Sequence, residues 1–126
     1  MRHRARAVCL VAALLLTLTS RATSVSAHHS HAMFDMTVEA SITGTVTNFS
    51  YRNPHVYLYL DVKGADGAVT RWAVEMSNIE NMRSRGIVAA TFRIGDVVAV
   101  KLNPLKNGRP GGNYTSVTAA DGKTYQ

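Results

Sequence analysis

From His55 to Lys63 the chain alternates without a break. Val56, Leu58, Leu60 and Val62 fall on one side. His55, Tyr57, Tyr59, Asp61 and Lys63 fall on the other. A period of two puts successive side chains on opposite faces, so this stretch is a strand with one face buried and one face wet. Such a strand must sit in a sheet that covers one side only, which favours antiparallel β structure.

The flanking signals extend the pattern. Ser41 to Tyr51 is rich in Thr, Val and Ile and predicts a strand, with Gly44 placed for a bulge or a barrel bend. Asn53-Pro54 breaks it before His55. Asp66-Gly67 predicts a tight turn, and Val69 to Met76 predicts the returning strand of a hairpin. Ser77 with Glu80 three residues on matches a capping box. It predicts a short helix with Ile79 and Met82 on one face, stopped by Gly86. Two more strands are expected, about Val97 to Leu102 and Tyr114 to Ala119, joined by the flexible loop Gly108-Arg109-Pro110-Gly111-Gly112.

Three strands, a helix and two strands make an all-β chain with one short helix. That is the element order of a small five-stranded OB-like barrel. An open β-sandwich uses the same ingredients. The barrel domain is expected over 41–126, preceded by a histidine-containing arm over 28–40.

Residues 1–27 read as an export signal. Arg2, Arg4 and Arg6 are basic, Ala7 to Leu18 is mainly apolar, and Val25 and Ala27 are small residues before the expected cut. The apolar run is too short for an ordinary membrane-spanning helix, and no span is expected after processing. The alternative, an earlier cut after Ala22, would leave the histidines internal. The segment carries four arginines and no acid, so its loss lowers the net charge from +6 to +2. That small charge is the ground for expecting no nucleic-acid partner. Cys9, the only cysteine, leaves with the signal. Thiol catalysis and cysteine-based zinc sites are thereby excluded. The mature protein is expected in the periplasm or outside the cell.

A cut after Ala27 makes His28 the first residue. Its amine and imidazole, with His29 and His31 close behind, suit copper, zinc or nickel. A cut one residue earlier puts His29 third, an arrangement that can wrap Cu(II) or Ni(II) in a square plane. A solvated arm without metal is the plain alternative. His55, at the start of its strand, would give the arm an ordered partner. Glu75 would orient His55, and Asp35 would close the site or anchor the arm. The metal set is therefore His28, His29, His31 and His55, with Asp35 and Glu75 in support. Copper is the first choice and zinc the second; Met33 and Met36 are soft donors nearby.

Tyr57, Tyr59 and Arg71 offer a different use of the same hairpin, as a metal-free surface for a saccharide, a peptide or an envelope protein. Plain cross-strand packing is the favoured explanation of the tyrosines. Trp72 is expected in the core. No phosphate loop, nucleophile motif or catalytic acid pair is present, so a binding protein is favoured over an enzyme. An accessory subunit of an envelope enzyme is a further option.

His28-His29-Ser30, Phe34-Asp35, Thr43-Gly44-Thr45-Val46, Asn53-Pro54-His55, Asp61-Val62, Trp72 with Glu75, Gly95-Asp96 and Asp121-Gly122 occur in an order that resembles a family of small exported bacterial proteins of unknown function. Members usually begin His-His-Ser-Phe; here His31 stands in place of the Phe. The resemblance implies export and the barrel, and no activity. A looser likeness, at the level of fold, is to periplasmic OB-fold copper carriers that use His, Met and a Trp face. Met33, Met36, Met76 and Trp72 are of the right types, without a matching ligand spacing.

The cut is directly testable. Protein recovered from the cell envelope should give an intact mass beginning at His28. A retained signal, or a start beyond His31, would remove the amino-terminal chelate.

Overall fold

The computed structural model describes residues 31–126. Residues 1–27, expected to be an export signal, and His28 and His29 lie outside the described residues. A single 3-10 turn, His31–Met33, comes first. The elements that follow are β1 (Ala40–Ser50), β2 (Tyr57–Lys63), β3 (Val69–Glu75), α1 (Ile79–Ser84), β4 (Val97–Pro104), β5 (Gly111–Thr118) and β6 (Thr124–Tyr125). The sheet order is β3-β2-β1-β4-β5-β6, and β3 also pairs with β5. That pairing closes five strands into a barrel, with β6 outside it on β5. The expected all-β barrel with one helix between the third and fourth strands is the fold.

The alternation of β2 does what its period dictates. Leu58 and Leu60 are fully buried, and Val56 just before the strand is buried with them. Val98, Val100 and Leu102 repeat the pattern in β4, and Val46, Val74 and Val117 add one residue each from β1, β3 and β5. Met76, Met82 from α1, Ile87, Phe92, Tyr114 and Tyr125 complete the fill, and Trp72 packs half-buried against it. β1 runs across the barrel: Thr45 pairs with Asp61 of β2 and also with Val97 of β4. A register shift between Val46 and Asn48 bends it, a common device for curving a strand into a barrel.

Four details depart from the sequence expectations. The helix is capped by Asn78, whose side chain accepts from the Asn81 amide. Ser77 Oγ instead accepts from the Asn81 side chain at 2.7 Å. Gly111 and Gly112 belong to β5 and not to a loop. β6 was not foreseen; it has only two residues, too few for a visible period. Finally, the stretch before Ala40 is stitched to the barrel. Phe34 is buried, the Asp35 amide donates to the Pro104 carbonyl at 2.8 Å, and the Lys106 amide donates to the Met33 carbonyl at 3.0 Å. Asn103, a buried polar side chain, donates to the Val38 carbonyl at 2.8 Å.

Gly112 is required by space. A Cβ there would lie 2.5 Å from the Asn103 carbonyl oxygen and 2.6 Å from Leu102 Cδ1. The oxygen is backbone in a paired strand and has little room to yield. Gly112→Ala is expected to cost about 1–3 kcal/mol, the usual range for overpacking. Gly95→Ala, at positive φ with nothing near, should cost about 1 kcal/mol. Urea unfolding of the two variants checks the order.

Candidate functional site

One end of the barrel holds a cleft of about 830 Å³. The β1–β2 connection forms one wall and supplies Arg52, Asn53, Pro54 and His55. Tyr57 of β2, Glu75 of β3, and Asn113 and Tyr114 of β5 come from the barrel rim. Met76 and Phe34 are buried apolar residues of the lining, and His31, Met33 and Arg85 stand at its margin.

The connection is pinned at several points. Asn53 Oδ1 accepts from the Ile79 amide at 3.0 Å, so this wall is tied to the start of α1. The Val56 amide donates to the Ser77 carbonyl at 3.0 Å and the Met76 amide donates to the Val56 carbonyl at 2.8 Å, which carries the hairpin ladder past His55. The Tyr51 hydroxyl donates to the Ile87 carbonyl at 3.0 Å. His55 thus stands on a braced backbone.

Glu75 is the centre of the polar network. Tyr57 and Glu75 are register partners across the hairpin. The Tyr57 hydroxyl donates to Glu75 Oε2 at 2.7 Å. Glu75 Oε1 lies 2.5 Å from His55 Nδ1. Both carboxylate oxygens are therefore engaged, one by each neighbour. A carboxylate on Nδ1 takes that nitrogen's proton in hydrogen bonding and leaves the lone pair of a neutral ring on Nε2. The side chains of His55 and Glu75 are only 22% and 17% exposed, so the pair is sheltered from competing water. Burial pushes the Tyr57 phenol well above its usual range, and its bond to Glu75 and that carboxylate's charge push it further.

The candidate residues divide by place. His31, His55 and Glu75 share the cleft, and Tyr57 joins them. Asp35 is outside it: Oδ1 accepts from the Thr37 amide at 3.1 Å and from the Thr37 hydroxyl at 2.6 Å. These bonds hold the Asp35 carboxyl below its ordinary range and make it the anchor of a turn. Tyr59 stacks on Tyr57, with ring centroids 6.0 Å apart and planes at 24°. Arg71 is paired with Asp61 at 3.0 Å. Among the described residues, no three His, Cys, Asp or Glu side chains are gathered tightly enough to hold a metal ion. None of the described helices is long and apolar enough to cross a membrane. Sequence reasoning missed Arg85 and Tyr114. The Arg85 guanidinium donates to the Tyr114 hydroxyl at 3.1 Å and lies 5.9 Å from the centre of its ring. Only the closed barrel brings the helix end to β5, and no local pattern marks that contact.

A phenol held above its unfolded value stabilises the fold while both states are protonated. That contribution is complete below the unfolded value near pH 10 and is lost as the pH rises toward the folded value. Stability should therefore fall between about pH 10 and pH 12 in the wild type and less steeply in Tyr57→Phe. Denaturant midpoints across that range test the sign.

No functionally curated protein matches the chain. Two crystal structures of the mitochondrial single-stranded DNA binding protein Rim1 of S. cerevisiae are similar in fold. The first has a TM-score of 0.50 at 13% identity and covers 65% of this chain and 92% of that one. The second, from selenomethionine-labelled protein, has a TM-score of 0.50 at 12% identity with the same coverage. At such identity the likeness is one of fold. It nevertheless corrects the exclusion of nucleic acid from the partners. The barrels of similar fold are single-stranded DNA binding proteins, and an OB barrel holds a strand with a local set of aromatic and basic side chains that net charge does not report. The likeness to copper carriers goes no further than the barrel. A family described as being of unknown function, DUF6152, matches residues 14–114, and the chain belongs to that family.

Proposed function

We propose that this is an exported binding protein whose barrel-end cleft takes a transition-metal ion, copper first and zinc second. The observation that carries the reading is the grip of Glu75 on His55 Nδ1. A histidine whose second nitrogen is held by a carboxylate is oriented and made more basic for metal ligation, and such partners matter almost as much as the ligands. His31 is on the same cleft. His28 and His29 would supply the remaining donors from the arm, with the amine of His28 if the signal is cut after Ala27. Copper and zinc accept imidazole and amine nitrogen readily. The protein's part is binding and orientation, and no reaction is assigned to it.

A second reading rests on the stacked pair Tyr57 and Tyr59. Their face lies on the hairpin that OB barrels use for oligonucleotides and oligosaccharides, and the Rim1 likeness adds single-stranded DNA to its possible occupants. A half-buried, stacked ring pair near Arg71 would offer bases or sugars a platform.

Calorimetric titration of native-start protein with Cu(II) and Zn(II) separates the two. Glu75→Gln should weaken metal binding by roughly tenfold to a hundredfold. A His29→Ala, His55→Ala double variant should weaken it further. Lower pH should weaken all of them, because imidazole and amine must lose protons to bind. Affinity no greater than that of a His-His-Ser-His peptide would reduce the cluster to a sticky tail. Failure to bind either metal would leave the stacking face, and Tyr59→Ala should then be the substitution that lowers affinity for an oligonucleotide or a saccharide.

A further inference from the structure

We infer that the cleft also recognises a small organic oxyanion, a carboxylate or a phosphate ester, through Arg52 and Arg85. The inference does not depend on a metal. It starts from how the described charges are compensated. Arg71 is paired with Asp61, and Lys101 with Glu39 at 3.4 Å. The other described lysines and arginines have no carboxylate within ion-pair distance among the described residues, and of these only Arg52 and Arg85 line the cleft. The cleft's own carboxylate, Glu75, has its oxygens on His55 and Tyr57 and is not available to them.

Each guanidinium is steered without being neutralised. Arg52 Nε donates to Ser50 Oγ at 2.8 Å. Arg85 donates one nitrogen to the Tyr114 hydroxyl and lies against that ring. A guanidinium has five N–H donors in a planar fork, so most donors on each arginine are still to be used. Tyr114, accepting from Arg85, keeps its own proton for an acceptor in the cleft. Forked donors of this kind match the two oxygens of a carboxylate or phosphate. The rest of the lining specifies the body of the ligand. Met76 and Phe34 are buried apolar residues there, and a volume of about 830 Å³ is that of a small-molecule pocket. An anion with an apolar body fits better than a bare ion.

The test uses native-start protein in EDTA, so that metal has no part in the result, with phenyl phosphate and benzoate as probes. Saturable binding in the millimolar range or tighter is expected, with shifts in the Arg52 and Arg85 side-chain N–H resonances. Inorganic phosphate should bind several-fold more weakly, because it leaves the apolar lining unused. An Arg52→Gln, Arg85→Gln double variant should lose roughly tenfold or more. Both side chains are exposed, so folding should survive; if the double variant does not fold, each single variant should still lose roughly threefold. Unchanged affinity in these variants overturns the inference. So do shifts confined to other basic residues, or inorganic phosphate binding as tightly as phenyl phosphate. Saturation by an oligonucleotide without saturation by either small anion also overturns it, in favour of a strand on the barrel. None of these outcomes bears on copper binding, which is measured without anion.

Discussion

Ala73 with Gly111, Val74 with Gly112 and Glu75 with Asn113 are three rungs of parallel pairing that hold the barrel shut. The other pairings within the barrel are antiparallel. Closure requires β5 to approach β3 and β4 at once, and the two glycines make that possible. A Cβ at Gly111 would meet the Ala73 carbonyl at 3.0 Å, and one at Gly112 would meet Asn103 more closely still. The same rungs place Glu75 at the rim beside Asn113 and bring Tyr114 into the cleft. The core, the cleft and the polar network thus share one mechanical origin.

What the sequence made legible follows from the range of each signal. The β2 pattern is local, repeats every two residues and was readable in full. Strand parity also put His55, Tyr57 and Glu75 on one face, and the three meet there. The start of β5 was hidden because Gly111 and Gly112 have no side chains to carry a period, and glycine otherwise signals a loop. The helix cap went to Asn78 because both Ser77 and Asn78 are good capping residues, and only the ladder through the Ser77 carbonyl decides between them. Arg85 and Tyr114 meet through barrel closure, a long-range event with no imprint on neighbouring residues. Net charge failed as a guide to partners for a related reason: it averages over a surface on which one cleft holds two arginines without a carboxylate partner.

The cleft holds two kinds of chemistry side by side. Glu75 is shared between an imidazole and a phenol, so its charge is engaged inside that network. Arg85 rests on the Tyr114 ring beyond the end of α1, and Arg52 stands on the β1–β2 connection that also carries His55. Glu75 is committed to His55 and Tyr57, so it neutralises neither arginine.

The stitching of residues 33–38 to the β4–β5 end has a consequence for His31. Its carbonyl accepts from the Phe34 amide, and the neighbouring Met33 and Asp35 are tied to Lys106 and Pro104. His31 is thus placed on the cleft by the β4–β5 end, whereas His55 is placed by the β1–β2 connection and the hairpin ladder. The two histidines of the cleft answer to separate parts of the fold. A change in the β4–β5 turn would move one against the other and leave the Glu75 network intact.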